Sequence, residues 1–459
     1  MIVGAAIVAG AAALVGHDGR GDERMPSASI QGDPLVPATA PITSPSQSPA
    51  TSAAEAAREV AAFEGLADRP AAKGVARPAI PPAPGTGPLG SLIDLDHIER
   101  VADHYEAPLK DGRRAVLTLD PELQSLAEKL LDESRAPRGG IVVMAPDGRI
   151  LALAGRRTED PKGSREGIFD WRLATDVWAP AASIFKLVTA SALVGAGVSG
   201  DDKVCFHGGV RSVMDSNLVD SKQDSRCETL SYGVAHSNNA ILGKLAYQKL
   251  VPDTLDGMAR TLGFGPAAGG ALPGTELPGN YGIVSIPTVH DLSFAKTAAG
   301  FMNAQLSVAG GALLTATFAT GGEQPVPRLI ATIDGIPHAG PKPRRVLPAT
   351  TARAVAKMMV ATCASGSAAK SFRRKDTNVA GKTGTLSRNE PFFMEHSWFV
   401  GFAPADAPQV IVSVLLGNPE SWHLRGHEAA KRLIDRALAA TQREKDRTAS
   451  AEPSTRKQW

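Results

Sequence analysis

Cysteine is scarce in this chain of 459 residues, which contains only three. Cys205, Cys227 and Cys363 form neither a CxxC pair nor a Cys/His cluster with the spacing of a zinc site. The sequence therefore gives no support for a metal centre, and we expect no cofactor.

Charge of one sign is not in excess either. The chain has 49 Lys and Arg residues against 47 Asp and Glu residues, which gives a net charge of +2. A nucleic-acid-binding protein normally shows a strongly basic face or stripe, so we expect no nucleic-acid partner. With 43% hydrophobic residues, the chain can bury the core of one large domain or two medium domains.

A hydrophobic run of full membrane-spanning length is also missing from the start of the chain. Residues 1–16 are uncharged and almost wholly apolar, but a spanning helix needs about 20 residues. A run of this length is also typical of the apolar region of a signal peptide. We predict that residues 1–16 form a membrane anchor, with a cleaved signal segment as the alternative.

The next part of the chain changes composition sharply. Residues 17–90 are a mixture rich in Pro, Ala, Ser and Thr, with too few large apolar residues to offset the entropy of ordering. We predict a disordered linker here, a folded body over residues 91–442, and a charged tail over residues 443–459.

Strand-like runs lie towards both ends of the body. In GGIVVMAPDGRILALAG, two β-rich runs flank Pro146-Asp147-Gly148, which predicts a hairpin. NVAGKTGTL, SWFVGFAP and QVIVSVLLG predict further strands near the other end, followed by an amphipathic helix. The segment between these runs is mainly helical in pattern. The sequence therefore predicts an α+β fold, in which an antiparallel sheet is flanked by helices and carries a mostly helical insertion.

The first chemically suggestive motif is Ser183-Ile184-Phe185-Lys186. Residues i and i+3 share one face at the start of a helix, so the Ser183 hydroxyl and the Lys186 amine can meet. A serine hydroxyl needs a nearby base to act as a nucleophile, and a buried lysine with a lowered pKa can serve. The flanking residues are apolar, which indicates a buried helix. A lysine is rarely buried without a functional or structural role, so Lys186 is a candidate functional residue.

Two further motifs follow along the chain. Ser237-Asn238-Asn239 lies between helical patterns, where it can supply a hydroxyl and an amide, although such a turn is common in any protein. Residues 382–385 read Lys-Thr-Gly-Thr on a predicted edge strand, where they can bind a carboxylate and pair with an extended peptide. A phosphate-binding loop is rejected, because the required glycine is Asp376 here and no helix pattern follows.

These three motifs, S-x-x-K, S-x-N and K-T-G in this order, resemble the signature of penicillin-binding proteins and serine β-lactamases. TLDPELQ and GGIVVMAPDGRILALAG resemble the opening helix and first hairpin of transpeptidase domains. RCETLSYGVAHSNNAILGKLA and HSWFVGFAP also have counterparts there. The resemblance covers residues 115–438 and implies the fold of a penicillin-binding transpeptidase domain.

The resemblance also implies roles for individual residues. Ser183 would be the acylated nucleophile, Lys186 its general base, and Ser237 the relay of a proton to the leaving amine. The backbone N–H groups of Ser183 and Thr385 would form the oxyanion hole. Four side chains would complete the catalytic and substrate-binding set by holding the substrate amide and the terminal carboxylate: Asn239, Lys382, Thr383 and Thr385. Gly384 would allow close approach of the ligand backbone.

The implied function is a D,D-transpeptidase that cross-links peptidoglycan stem peptides, with β-lactams as covalent inhibitors. A D,D-carboxypeptidase or a β-lactamase of the same fold is the alternative, and a non-catalytic penicillin-binding sensor or scaffold is a second alternative. The implied location is the bacterial cell envelope, on the periplasmic face of the inner membrane, with a separate glycosyltransferase as a partner. Export would permit a disulfide between Cys205 and Cys227, against the alternative of two buried thiols.

Overall fold

The computed structural model describes residues 93–158, 168–208, 212–266, 270–274, 276–372, 378–389 and 392–451. The predicted anchor and linker, residues 1–16 and 17–90, lie outside these ranges. Among the residues that the structure describes, no helix is both long enough and apolar enough to cross a membrane.

The strands and helices alternate in groups along the chain. In chain order the strands are β1 (Glu99–Val101), β2 (His104–Pro108), β3 (Arg114–Leu117), β4 (Arg138–Met144), β5 (Ile150–Arg157), β6 (Ile168–Phe169), β7 (Lys203–Phe206), β8 (Arg226–Thr229), β9 (Gly270–Ala271), β10 (Asn280–Val284), β11 (Ala304–Leu306), β12 (Glu323–Gln324), β13 (Ile330–Ile333), β14 (Ile336–Pro337), β15 (Arg344–Arg345), β16 (Ala380–Arg388), β17 (Met394–Ala403) and β18 (Val410–Asn418). The α-helices are α1 (Pro121–Ser134), α2 (Arg172–Thr175), α3 (Lys186–Gly195), α4 (Leu230–Ala235), α5 (Asn239–Lys249), α6 (Pro252–Leu262), α7 (Leu292–Ala298), α8 (Val308–Ala319), α9 (Ala349–Ala364), α10 (Ala369–Phe372) and α11 (Gly426–Ala451).

The main sheet has six strands in the order β16-β17-β18-β4-β5-β6, and every neighbouring pair is antiparallel. Its strands come from two distant parts of the chain, as the sequence predicted. β4 and β5 form the predicted hairpin around residues 146–148, and β16 is an edge strand. The prediction of an antiparallel α+β fold is confirmed.

Helices cover both faces of this sheet. α1 and α11 pack on one face, where Leu131 and Leu433 join a core with Val143 and Val412. α8 packs on the opposite face, and it is buried from Val308 to Phe318 because the insertion surrounds it. All residues of β18 are buried, since a strand covered on both faces has no polar side to show to water.

The insertion between β6 and β16 is mostly helical, and α3 runs through it. All side chains from Lys186 to Leu193 in α3 are buried. Small two- and three-stranded sheets, β7–β8, β9–β10–β11 and β12–β15, lie among the helices. The turn before α3 contacts the edge strand β16, so the first motif of the insertion lies at the edge of the main sheet.

A second sheet, with the strand order β1-β2-β3-β13-β14, was not predicted from the sequence. It pairs residues 99–117 with residues 330–337, more than 200 positions later in the chain. The strands are short, and β1 is exposed along its whole length, so no alternating pattern reveals them.

The last helix is longer than expected. α11 continues to Ala451, so the predicted boundary between body and tail at residue 443 falls inside a helix. Residues 427–451 contain neither Gly nor Pro, and Arg, Glu, Lys and Ala are good helix formers even when exposed.

Candidate active site

Ser183 lies in the turn that leads into α3. Residues Ala182–Phe185 form a 3-10 helix, and the α-helix begins only at Lys186. Ala182 has a left-handed backbone with φ of 47°, a conformation that costs an L-residue about 1–2 kcal/mol. Gly300 packs directly on it, because a Cβ there would lie 2.3 Å from the Ala182 carbonyl oxygen. The surrounding chain therefore holds Ser183 in a strained, well-defined turn.

Lys186 is completely buried beside that serine. Its Nζ lies 2.9 Å from Ser183 Oγ and 2.6 Å from Asn239 Oδ1, and it also donates to the carbonyl oxygen of Ala299. Burial lowers the pKa of Lys186 well below its usual value, and the positive charge of Lys382 lowers this pKa further. A neutral amine at this distance can accept the proton of the Ser183 hydroxyl.

The second motif forms the turn between α4 and α5. Ser237 has a left-handed φ of 56° at the turn itself. Asn238 caps α5, because its Oδ1 accepts a hydrogen bond from the backbone N–H of Ile241 at 3.1 Å. Asn239 is the first residue of α5, so its side chain leaves the helix end and reaches Lys186.

The third motif lies on the edge strand β16. Lys382 is completely buried, with its Nζ 3.0 Å from Ser237 Oγ and 2.8 Å from the carbonyl oxygen of Thr383. Burial lowers the pKa of Lys382 to about 7. Thr383 is half-buried and Thr385 is exposed on the same strand.

Gly384 lets this strand approach the turn that carries Ser183. A Cβ at this position would lie 3.2–3.4 Å from atoms of Trp398, Ile184 and Ala182. These distances are slightly tighter than ordinary van der Waals contacts, so an alanine at this position would require the neighbouring atoms to shift by a few tenths of an ångström. The glycine of the third motif is explained by this packing in the protein itself.

The three motifs, far apart in the sequence, therefore meet at one place. Ser183, Lys186 and Asn239 form one contact group, and Ser237, Lys382 and Thr383 form a second. In the described parts of the chain, neither buried lysine of the site is paired with a carboxylate. The arrangement can activate a hydroxyl and attract an anionic group at the same time.

Sequence reasoning missed several groups that complete the site. The Ala299 carbonyl on Lys186 is a backbone atom, for which the sequence carries no signal. Trp398 Nε1 donates to the Pro180 carbonyl oxygen at 2.9 Å, which joins β17 to the chain just before the turn of Ser183. The Ser367 hydroxyl lies 2.6 Å from the Thr383 hydroxyl, although no motif marks Ser367.

A third buried lysine lies away from the site and has a different environment. Lys244 on α5 lies 2.7 Å from Asp224 and 3.0 Å from Asp220, so its charge is paired. Nearby, Cys205 and Cys227 form a disulfide that joins β7 to β8. In the parts of the chain that are described, no group of His, Cys, Asp and Glu side chains is arranged to hold a metal ion.

Comparison with known proteins gives the family. Residues 139–439 match the family model described as the penicillin binding protein transpeptidase domain. The chain belongs to this family. The match begins in β4 and ends in α11, so it covers the main sheet, the helical insertion and all three motifs of the penicillin-binding transpeptidase domain.

Individual relatives agree with this assignment. The chain is 28% identical over 356 residues to penicillin-binding protein PbpB of Mycobacterium tuberculosis, covering 70% of this chain and 50% of PbpB. It is 24% identical to the peptidoglycan D,D-transpeptidase PbpA of the same species, over 70% of each chain. The solved structure of penicillin binding protein 3 from M. tuberculosis complexed with aztreonam is 25% identical, with a TM-score of 0.56, over 72% of this chain and 79% of that one. The chain thus spans about half the length of PbpB.

Proposed function

We propose that the protein is a serine-type D,D-transpeptidase that cross-links peptidoglycan stem peptides through an acyl intermediate on Ser183. The observation that carries the proposal is the 2.9 Å separation between Ser183 Oγ and Lys186 Nζ, an amine whose pKa is lowered by complete burial. A lysine in this state is a general base matched to a serine hydroxyl. Relatives named as peptidoglycan D,D-transpeptidases support the same conclusion.

In the first half-reaction, Lys186 removes the hydroxyl proton while Ser183 Oγ attacks the carbonyl carbon between the two terminal D-alanines. The oxyanion accepts hydrogen bonds from the backbone N–H groups of Ser183 and Thr385. Ser237, within reach of Lys382 Nζ, passes a proton to the leaving nitrogen. The carbon–nitrogen bond breaks, D-alanine leaves, and an ester to Ser183 remains.

In the second half-reaction, the amine of a neighbouring stem peptide attacks the ester carbonyl. The amine loses its proton to the Ser237–Lys382 pair, which gave one to D-alanine in the first half-reaction, and Lys186 returns its proton to Ser183 Oγ as the ester bond breaks. Asn239, Thr383 and Thr385 hold the donor peptide through its amide and its terminal carboxylate, and Lys382 supplies the positive charge that attracts this carboxylate. A β-lactam presents the same amide and carboxylate, so its opened ring would stay attached to Ser183.

Labelling with a fluorescent penicillin tests the proposal. We expect wild-type protein to take up label that resists denaturing electrophoresis, and Ser183→Ala to take up none. Ser191→Ala is the matched control, because Ser191 lies on α3 and its hydroxyl donates to the Leu187 carbonyl oxygen within the same helix. Equal labelling of wild type and Ser183→Ala would refute the acyl-serine mechanism.

The lifetime of the label separates the alternatives of the same fold. An adduct that persists for hours, together with transfer to an added amine acceptor, supports a transpeptidase. An adduct that persists without transfer to the amine, while the protein hydrolyses a D-alanyl-D-alanine peptide and releases D-alanine, indicates a D,D-carboxypeptidase. Clearance within seconds indicates a β-lactamase. Stable labelling without turnover of any peptide indicates a penicillin-binding sensor or scaffold.

We also propose a place and a partner for this reaction. The substrate stem peptides hang from glycan strands outside the inner membrane of a bacterium, so the domain would work at the cell envelope, with residues 1–16 as its anchor. The cross-linking chemistry needs glycan strands that a glycosyltransferase has polymerised, and a separate enzyme would supply them. Fractionation of cells tests the anchor, since deleting residues 1–16 should move labelled protein out of the membrane fraction.

A further inference from the structure

Ser367 is a polar residue at the site that the mechanism above does not use. It lies in the segment that joins α9 to α10, and its side chain is exposed. Its Oγ lies 2.6 Å from Thr383 Oγ1, and its backbone N–H donates to the carbonyl oxygen of Ala235 at 2.9 Å. One residue thus contacts both the edge strand β16 and the end of α4, two positions before Ser237.

The position of Ser367 is well defined by its neighbours. Gly366 packs so closely on the end of α4 that a Cβ there would lie 2.2 Å from the Ala235 carbonyl oxygen. The Gly366 backbone N–H also donates to the Ala361 carbonyl oxygen at 2.9 Å, which fixes the segment to the end of α9. On the other side of Ser367, Ala368 is completely buried. The Ala368 backbone N–H also donates to the Thr362 carbonyl oxygen at 3.1 Å, so hydrogen bonds on both sides of Ser367 fix the backbone from which its hydroxyl reaches Thr383.

The direction of the hydrogen bond between the two hydroxyls decides what Thr383 can do. A hydroxyl has one hydrogen and accepts through its lone pairs, whereas a carboxylate only accepts. If Thr383 gave its hydrogen to Ser367, it would turn lone pairs towards an anionic ligand. If Ser367 donates instead, the hydrogen of Thr383 stays available, and donation in a chain strengthens the next hydrogen bond.

We propose that Ser367 is a positioning residue that donates to Thr383 Oγ1 and so directs the Thr383 hydroxyl hydrogen to the terminal carboxylate of the donor peptide. The inference rests on the proposed function, since it deepens the recognition of the substrate at the same site. The backbone of Thr383 is fixed as well, because its carbonyl oxygen accepts from Lys382 Nζ at 2.8 Å. With its backbone and its hydroxyl both held, Thr383 is oriented before the ligand arrives.

Pre-steady-state acylation by an N-acyl-D-alanyl thioglycolate tests this role. This thioester ends in a carboxylate, and its carboxamide analogue is the same molecule without the charge. The concentration dependence of acylation separates the dissociation constant from the rate constant. For Ser367→Ala we expect the dissociation constant of the acid to rise about fivefold, the effect of losing the one neutral hydrogen bond that orients the Thr383 hydroxyl, with the rate constant changed less than about twofold. The carboxamide should bind both proteins equally.

Two further variants make the test specific. Ser367→Thr keeps the hydroxyl and should restore the wild-type dissociation constant. Ser365→Ala is the matched control, because Ser365 is exposed in the same segment and its hydroxyl donates to the Ala361 carbonyl oxygen near the end of α9. It should leave both ligands unaffected.

Three results would overturn the inference. Unchanged binding of the acid in Ser367→Ala would remove any role for the hydroxyl. An equal loss for acid and carboxamide would reduce Ser367 to a packing contact. No rescue by Ser367→Thr would exclude donation by the hydroxyl. Each of these is distinct from failure of the proposed function, in which wild-type protein would show no Ser183-dependent acylation at all.

Discussion

Replacement of Lys382 by methionine should make the folded protein more stable near neutral pH, although Lys382 belongs to the proposed site. Lys382 is completely buried, and in the described residues no carboxylate pairs with it. Burying a cation without a counterion is unfavourable, and the lowered pKa of Lys382 measures that cost. Methionine has a similar length and carries no charge, so it removes the cost while filling the space.

The size of the effect follows from the pKa. Burial lowers the pKa of Lys382 from 10.5 to about 7, and each unit corresponds to about 1.4 kcal/mol. At pH 7 the unfolded chain is fully protonated and the folded chain about half, so the lysine destabilises the fold by roughly 4 kcal/mol. The variant also loses hydrogen bonds to Ser237 and Thr383, each worth about 1 kcal/mol. A net gain of about 2 kcal/mol remains.

The pH dependence of stability tests whether Lys382 destabilises the folded protein through its charge. Because the folded pKa of Lys382 is the lower one, the unfolded state binds more protons between pH 7 and about pH 10.5. The stability of the wild type therefore rises with pH across this window, while the Lys382→Met variant lacks this contribution. The advantage of the variant should shrink as pH rises and vanish at about pH 9, where the remaining cost of the buried charge equals that of the two lost hydrogen bonds; above this pH the wild type should be the more stable protein.

Urea unfolding of the wild type and the variant at pH 7 and pH 9.5 measures this difference in the free energy of unfolding. Lys244→Met is the matched control, because Lys244 is equally buried but pairs with Asp224 and Asp220. Breaking that buried pair should destabilise the fold by roughly 3–5 kcal/mol. If Lys382→Met lowers stability at pH 7 as Lys244→Met does, the reasoning about an unpaired, desolvated lysine is refuted.

Two other outcomes are expected. The second-order rate constant for acylation by penicillin should fall as pH rises through the pKa of Lys382, about 7, because the neutral amine no longer attracts the ligand carboxylate. A stopped-flow profile that is flat from pH 6 to pH 9 would contradict the assignment of this charge. Replacing Cys205 and Cys227 together by serine should lower the free energy of unfolding by about 2–4 kcal/mol while leaving Ser183-dependent penicillin labelling intact, since the disulfide joins β7 to β8 and neither cysteine belongs to the three motifs. Loss of labelling in folded protein would show that the disulfide shapes the site.

Much of the main sheet was predictable, because its signals are local. The turn residues Pro146-Asp147-Gly148 predicted the β4–β5 hairpin, and the apolar runs near the other end predicted β16, β17 and β18. The five-stranded second sheet was not predictable, since β3 and β13, which pair in it, are short strands that lie far apart in the chain. The end of α11 was missed because charged residues suggest an exposed tail, yet they also favour a helix.

The sequence by itself determined which chemical groups the protein has and the order in which they occur: a serine three residues before a lysine, a serine–asparagine turn and a Lys-Thr-Gly-Thr strand. Local spacing is enough to bring Ser183 and Lys186 together, because one helical turn separates them. Only the tertiary structure decided the chemical state of those groups. The pKa of a lysine depends on how much water and which charges surround it. These surroundings are supplied by segments that lie far from the lysine along the chain. The apolar neighbours of Lys186 indicated its burial in advance, but the burial of Lys382, the carbonyl of Ala299 beside Lys186 and the hydroxyl of Ser367 beside Thr383 come from packing between distant segments, which no local pattern encodes.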